Sequence, residues 1–185
     1  MSRGIRPSTT RSAAALWVKS LLNALWFFAL FMALLPWGAH WLWPRPVGIP
    51  LSMGRLWGAI LCGGGLVVWG ICLDVFSRRG RGTPFPLDAP RHLVTTGPFA
   101  VVRNPIIAGE LAVIWGEALY IASLGMLAYA MLMTLAGHLA VRLVEEPELR
   151  ERFGAAYDDY CRRVPRWLPR WPGSKGDRPP KSTTD

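Results

Sequence analysis

The sequence predicts an all-α integral membrane protein: four transmembrane helices, the last two forming a tight C-terminal hairpin, with a long ordered cytosolic loop and a cytosolic C-terminal helix. Three observations predict it. The chain of 185 residues is 51% hydrophobic and carries 10 Trp, more apolar than a soluble domain of this size. Its apolar residues gather into runs close to the ~20 residues a helix needs to cross the hydrocarbon core. Its basic residues fall between those runs so that nearly all share one face.

The first run is Ser20 to Trp43, with Trp37, Trp41 and Trp43 at its far end as an interfacial belt. Positive charges precede it as in a signal peptide. Its 24 residues nevertheless exceed a signal core and no small-x-small cleavage site follows, so it is expected to stay as an anchor. The second run, Leu56 to Leu73, holds Gly58, Gly63, Gly64, Gly65 and Gly70, which let membrane helices approach closely. Its triple glycine is not a dinucleotide fingerprint, since no strand precedes it and the spacing is wrong.

A long segment, Ser77 to Asn104, follows, and its Phe85, Leu87, Leu93, Val94, Phe99, Val101 and Val102 argue for a packed, ordered loop. The third and fourth runs, Pro105 to Ala122 and Gly125 to Val144, are separated only by Ser123 and Leu124, hence the hairpin. Beyond them a carboxylate pair opens a helix whose apolar stripe is Leu149, Phe153, Ala156 and Tyr160. Residues 1 to ~15 look frayed, and the polar, Pro-rich tail 173–185 is expected to be disordered.

Charge sets the orientation. Arg3, Arg6, Arg11 and Lys19 precede the first run, five arginines lie between the second and third, and ten basic residues follow from Arg142. Of the 21, only Arg45 and Arg55 lie elsewhere, so both termini are expected in the cytosol. This accounts for the net charge of +9 without nucleic acid, for which no recognition motif is present. Cys62, Cys72 and Cys161 are too few and too scattered for a disulfide framework or a metal site. Nothing in the sequence sets an oligomeric state.

The residues that carry chemistry lie around the hairpin. Gly97-Pro98 marks a turn, and Asn104-Pro105 a helix start, with Asn expected to cap free backbone donors and Pro needing none. That positive helix end, with Arg103 beside it, suits a carboxylate or phosphate. Glu110 and Glu117 share a face at i and i+7, and an ionisable group at membrane depth signals a function or a partner. If the turn centres on Leu124, residues equidistant from it lie at equal depth. Arg103 then matches Glu145, and Glu110 matches His138.

The stretch "GPFAVVRNPIIAG", followed ~30 residues later by "EEPELRERFGAAYDDYCRRVPRWLPR", resembles the isoprenylcysteine carboxyl methyltransferases and their phospholipid N-methyltransferase relatives. The resemblance spans roughly Arg79 to Pro169. Arg103, Pro105, Gly109, Glu145 and Glu146 match the family's pattern, while Asn104 stands in place of a histidine and Ile107 and Phe99 in place of tyrosines. The resemblance implies an integral-membrane enzyme taking a methyl group from S-adenosyl-L-methionine, with a catalytic region over 77–172 behind two N-terminal spans (20–76) and a cytosolic segment (1–19).

The cosubstrate carries a carboxylate, an ammonium and a sulfonium. Arg103 and the helix start suit the first, and Glu145 or Glu146 the cationic parts. Gly97, Pro98, Asn104 and Gly109 complete the expected site, and Phe99, Tyr157, Tyr160 and Trp167 are candidates to stack on the adenine. Glu110 and His138 are the candidate base for an amine acceptor, which must lose a proton; a carboxylate acceptor needs none. The acceptor is expected to be lipophilic, entering from the membrane lipids. Arg, Ala and Trp usage suggests a bacterial inner membrane, where prenylated cysteine is not the expected acceptor. Two other readings stay open: an NADPH-dependent membrane reductase of the sterol-reductase type, and a non-enzymatic membrane protein.

Overall fold

A computed structural model describes residues 25–75 and 92–169, together with Val18, Leu22 and Arg78. The expected frayed start, Phe85 and Leu87 of the loop, and the tail from 173 lie outside the described residues. The regular structure of the described residues is helical; they form no strand, only an isolated bridge between Pro46 and Ser123.

The first helix runs Leu25–Leu42, with π-helical turns at Phe28–Leu34 passing into α1 (Leu35–Leu42). The wide turns sit directly before Pro36, whose ring crowds the carbonyl one turn back and offers it no N–H. The Tyr129 hydroxyl donates to the carbonyl of Phe31 within these turns at 2.7 Å. Helix α2 (Leu51–Val75) is followed, past residues not described, by a short 3-10 turn at Gly97–Ala100. Then come α3 (Pro105–Ile121) and α4 (Leu124–Ala140), joined only by Ala122 and Ser123. Ala122 is left-handed (φ 52°) and closes α3, while the Ser123 hydroxyl accepts from Met126 N–H to start α4.

Helix α4 continues through π-helical turns at Val141–Glu145 into α5 (Glu146–Phe153). The device of the first helix recurs, because Pro147 follows the wide turns as Pro36 does. The single cytosolic helix expected after the glutamate pair is instead two, α5 and α6 (Ala155–Arg163), broken at Gly154. Gly154 has φ 52° and ψ −130°, a backbone conformation that only glycine adopts cheaply. Leu149, Phe153 and Tyr160 of the expected stripe do pack together, with Tyr157, Val164 and Leu93, whereas Ala156 is exposed.

Among the described residues, three helices are long and apolar enough to cross a membrane: Leu25–Leu42, Leu51–Val75 and the continuous Leu124–Phe153. At ~1.5 Å per residue the 17-residue α3 is about 25 Å long, somewhat short of a ~30 Å hydrocarbon core. It is held on α2 by backbone contact. A Cβ on Gly58 would lie 2.6 Å from the Gly116 carbonyl oxygen, and one on Gly65 would lie 2.5 Å from that of Gly109. Gly54, Gly58 and Gly65 thus form the contact face, as small residues do between membrane helices. Gly63, Gly64 and Gly70 face open space.

Candidate active site

The N-terminus of α3, the π-helical end of α4 and the segment after α6 converge on one buried carboxylate. Glu146 is 6% exposed and takes both nitrogens of the Arg166 fork, Nε at 2.6 Å and Nη2 at 2.8 Å. Arg103 Nη1 lies 3.1 Å from the same Oε1 and donates to Cys161 Sγ at 2.6 Å. Two guanidiniums therefore share one carboxylate, a bidentate arrangement that fixes geometry as well as charge. The Arg166 guanidinium is held still further toward its charged form by the hydrogen bonds it donates to Glu146.

Residues 164–168 form a strap across the start of α3. Arg103 N–H donates to Pro165 O at 2.8 Å, and the Asn104 side-chain amide donates to Arg166 O at 3.1 Å. Asn104 is thus buried in holding the strap and makes no side-chain cap on α3, contrary to the expectation from its type. Pro105 does stand at the first turn. At the far side of the strap, Trp167 Nε1 donates to His138 Nδ1 of α4 at 3.1 Å.

The expected pairing of Arg103 with Glu145 is corrected to Arg103 with Glu146. The wide π turns at Val141–Glu145 alter the angular progression before Pro147, so the second glutamate of the doublet turns inward. Glu145 is exposed and has no ion-pair partner among the described residues.

The expected meeting of Glu110 and His138 does not form. Glu110 Oε1 accepts from Trp69 Nε1 of α2 at 3.2 Å, while His138 is held by Trp167. Residues at similar distances from the turn do lie side by side along the two axes at one point, where Trp115 Nε1 donates to Thr134 Oγ1 at 3.0 Å across α3 and α4. Depth does not set rotation about the axis. The glycine contacts turn that part of α3 onto α2, and Gly109 itself faces Gly65 and Trp69 as a packing residue.

The aromatic candidates divide. Tyr157 and Tyr160 are 2% and 3% exposed, Phe99 is buried against Cys72 and Val94, and Tyr160 donates to Phe99 O at 2.6 Å. These three are core, with no ring face open to an adenine; burial raises both tyrosine hydroxyls above their usual range. Gly97, at φ 64°, and Pro98 open the 3-10 turn that carries Phe99 and its carbonyl into place. Only Trp167 is partly open, and it lines a groove of about 440 Å³ with Leu111, Trp115, Met131, Thr134, Leu135 and His138.

Sequence reasoning missed Arg166, Trp69 and Cys161 as partners of the site. Arg166 was one basic residue in an arginine-rich tail, and only the spacing of "RVPRW" after α6, with Pro165 forcing an extended exit, hinted at a strap. Among the described residues no cluster of three or more His, Cys, Asp or Glu side chains is disposed to hold a metal. A family model described as phospholipid methyltransferase matches residues 53–156. No curated protein matches the chain.

Proposed function

We propose, from the premise that the chain belongs to the phospholipid methyltransferase family, that it transfers a methyl group from S-adenosyl-L-methionine to a lipophilic acceptor held in the membrane. Membership of the family makes it a membrane methyltransferase; the cosubstrate and the acceptor are our reading. The observation that carries it is the divided acidic doublet, in which Glu146 is buried between two guanidiniums and Glu145, one residue away, is exposed and unpaired among the described residues.

The donor set fits the cosubstrate. Glu145 can take its cationic parts, and the buried Arg103 Nε, which has no acceptor among the described residues, leaves a guanidinium donor for its carboxylate. When bound, S-adenosyl-L-methionine supplies an electrophilic methyl carbon on a sulfonium. The chain's own work is to orient and to exclude water, because an in-line displacement depends mainly on alignment. Glu146 holds Arg103 and Arg166 in one rigid network, and the strap fixes α3 against α4. An amine acceptor must first lose its proton, and Glu110, positioned by Trp69, is the carboxylate placed to receive it.

The apolar groove between α3 and α4 suits a hydrocarbon chain. We further place α3 as a fourth span, the catalytic region over 77–172, and both termini on the cytosolic side, supported by the distribution of basic residues. The test is a binding titration of the purified protein in lipid nanodiscs with S-adenosylhomocysteine and with NADPH. Saturable binding of the former, lost in Glu145→Gln, is expected; binding of NADPH alone would overturn the reading.

A further inference from the structure

We infer that His138 presents a hydrogen-bond donor to the groove, and that the groove therefore takes a lipid carrying an accepting oxygen, such as an ester carbonyl, next to its hydrocarbon chain. Four side chains with polar hydrogens line the groove: Trp115, Thr134, His138 and Trp167. The Trp115 indole donates to Thr134 Oγ1, the Thr134 hydroxyl donates to Ala130 O at 2.8 Å, and the Trp167 indole donates to His138 Nδ1. An imidazole nitrogen that accepts from an indole carries no proton, so the neutral ring holds its hydrogen on Nε2. That Nε2–H has no acceptor among the described residues, and it is the one donor of this wall not already used.

The remaining walls, Leu111, Met131 and Leu135, offer only apolar contact. A donor left unpaired in such surroundings is costly, and a ligand that supplies an oxygen removes the cost. The strap links the groove to the site, because Trp167, which bonds His138, lies next to Arg166, which grips Glu146. His138 is in consequence a positioning residue and not the base: accepting a proton at Nε2 would require the tautomer that abandons Trp167.

That this lipid is the methyl acceptor rests on the function proposed above; that it binds does not. The experiment uses full-length protein labelled with ¹⁵N-histidine, purified free of lipid in an alkyl maltoside detergent, which carries no ester. The chain has three histidines, so His138 is assigned by loss of its signal in His138→Leu and, should that variant not fold, by the perturbation caused by Trp167→Phe. The expected spectrum shows a neutral ring protonated at Nε2. Titration with monooleoylglycerol, which has an ester but no charge, should shift that resonance saturably, and octadecane should not. A ring protonated at Nδ1, no response to the ester lipid, or an equal response to both probes would each overturn the inference.

In turnover, His138→Leu should raise KM for an ester-bearing acceptor about tenfold, the weight of one hydrogen bond to a buried donor, with a smaller effect on kcat, and His138→Gln should restore much of it. An unchanged KM overturns the inference while methyl transfer itself stands. Absence of methyl transfer with every acceptor overturns the proposed function, and the spectra still decide whether the groove holds the ester lipid.

Discussion

Glu145 and Glu146 are neighbours of identical chemistry in opposite surroundings, and a pair of substitutions separates their roles. Removing the charge of Glu146 strands two guanidiniums, one of them 11% exposed at its side chain. Breaking such a buried pair costs on the order of 3–5 kcal/mol. Glu146→Gln should therefore lower the unfolding midpoint in detergent and lose activity with it. Glu145 has no ion pair to lose among the described residues, so Glu145→Gln should keep the midpoint within ~1 kcal/mol of the parent while S-adenosylhomocysteine affinity falls tenfold or more. Equal destabilisation by the two would mean that both glutamates are structural. That the doublet matters was legible from its motif, but which member turns inward was not, since one residue of rotation is set by the π turns before Pro147.

Between elements, the contact of α2 with α3 is made of backbone. Without a hydrophobic force between apolar helices in lipid, close van der Waals approach is what holds them. Gly58→Leu would drive a side chain into the Gly116 carbonyl and the start of Tyr120, and is expected to destabilise by at least ~1–3 kcal/mol in a reversible unfolding assay. Gly63→Ala, which meets nothing within 4 Å, should be neutral or gain up to ~1 kcal/mol of helix propensity. A cost for Gly63→Ala as large as that for Gly58→Leu would contradict this packing. The cluster of glycines in the second apolar run announced close approach. Which of them face a partner depends on α3, and that same contact carried Glu110 to Trp69 and away from His138.

At the scale of the whole molecule, the strap from Val164 to Leu168 ties together parts far apart in the chain: the start of α3, the beginning of α5 and the middle of α4's final turns. Arg166→Ala removes two charge-assisted hydrogen bonds from Glu146 and should cost about 1–3 kcal/mol. Combined with Glu146→Gln it should be less than additive by at least ~0.5 kcal/mol, since both delete one interaction; strict additivity would show that the strap is not coupled to the carboxylate. Reporter fusions at the two termini should both read out as cytosolic, and opposite locations would remove either α3 or the first helix as a span.

By itself the sequence determined the solvent and the raw material: apolar lengths, the side on which basic residues gather, a glycine cluster, a proline start to α3, and the residue types from which the candidate site is built. These are one-dimensional properties, read from composition, spacing and axial rise. Only the tertiary structure decided rotation and partnership. Helix α3 turns about its axis to satisfy α2, Asn104 leaves its capping role to grip the strap, and Arg103 finds Glu146 because a π turn redirects the doublet. The physical reason is that axial position follows from residue count, whereas azimuth is the outcome of backbone contacts and buried charge pairs made with segments distant in sequence.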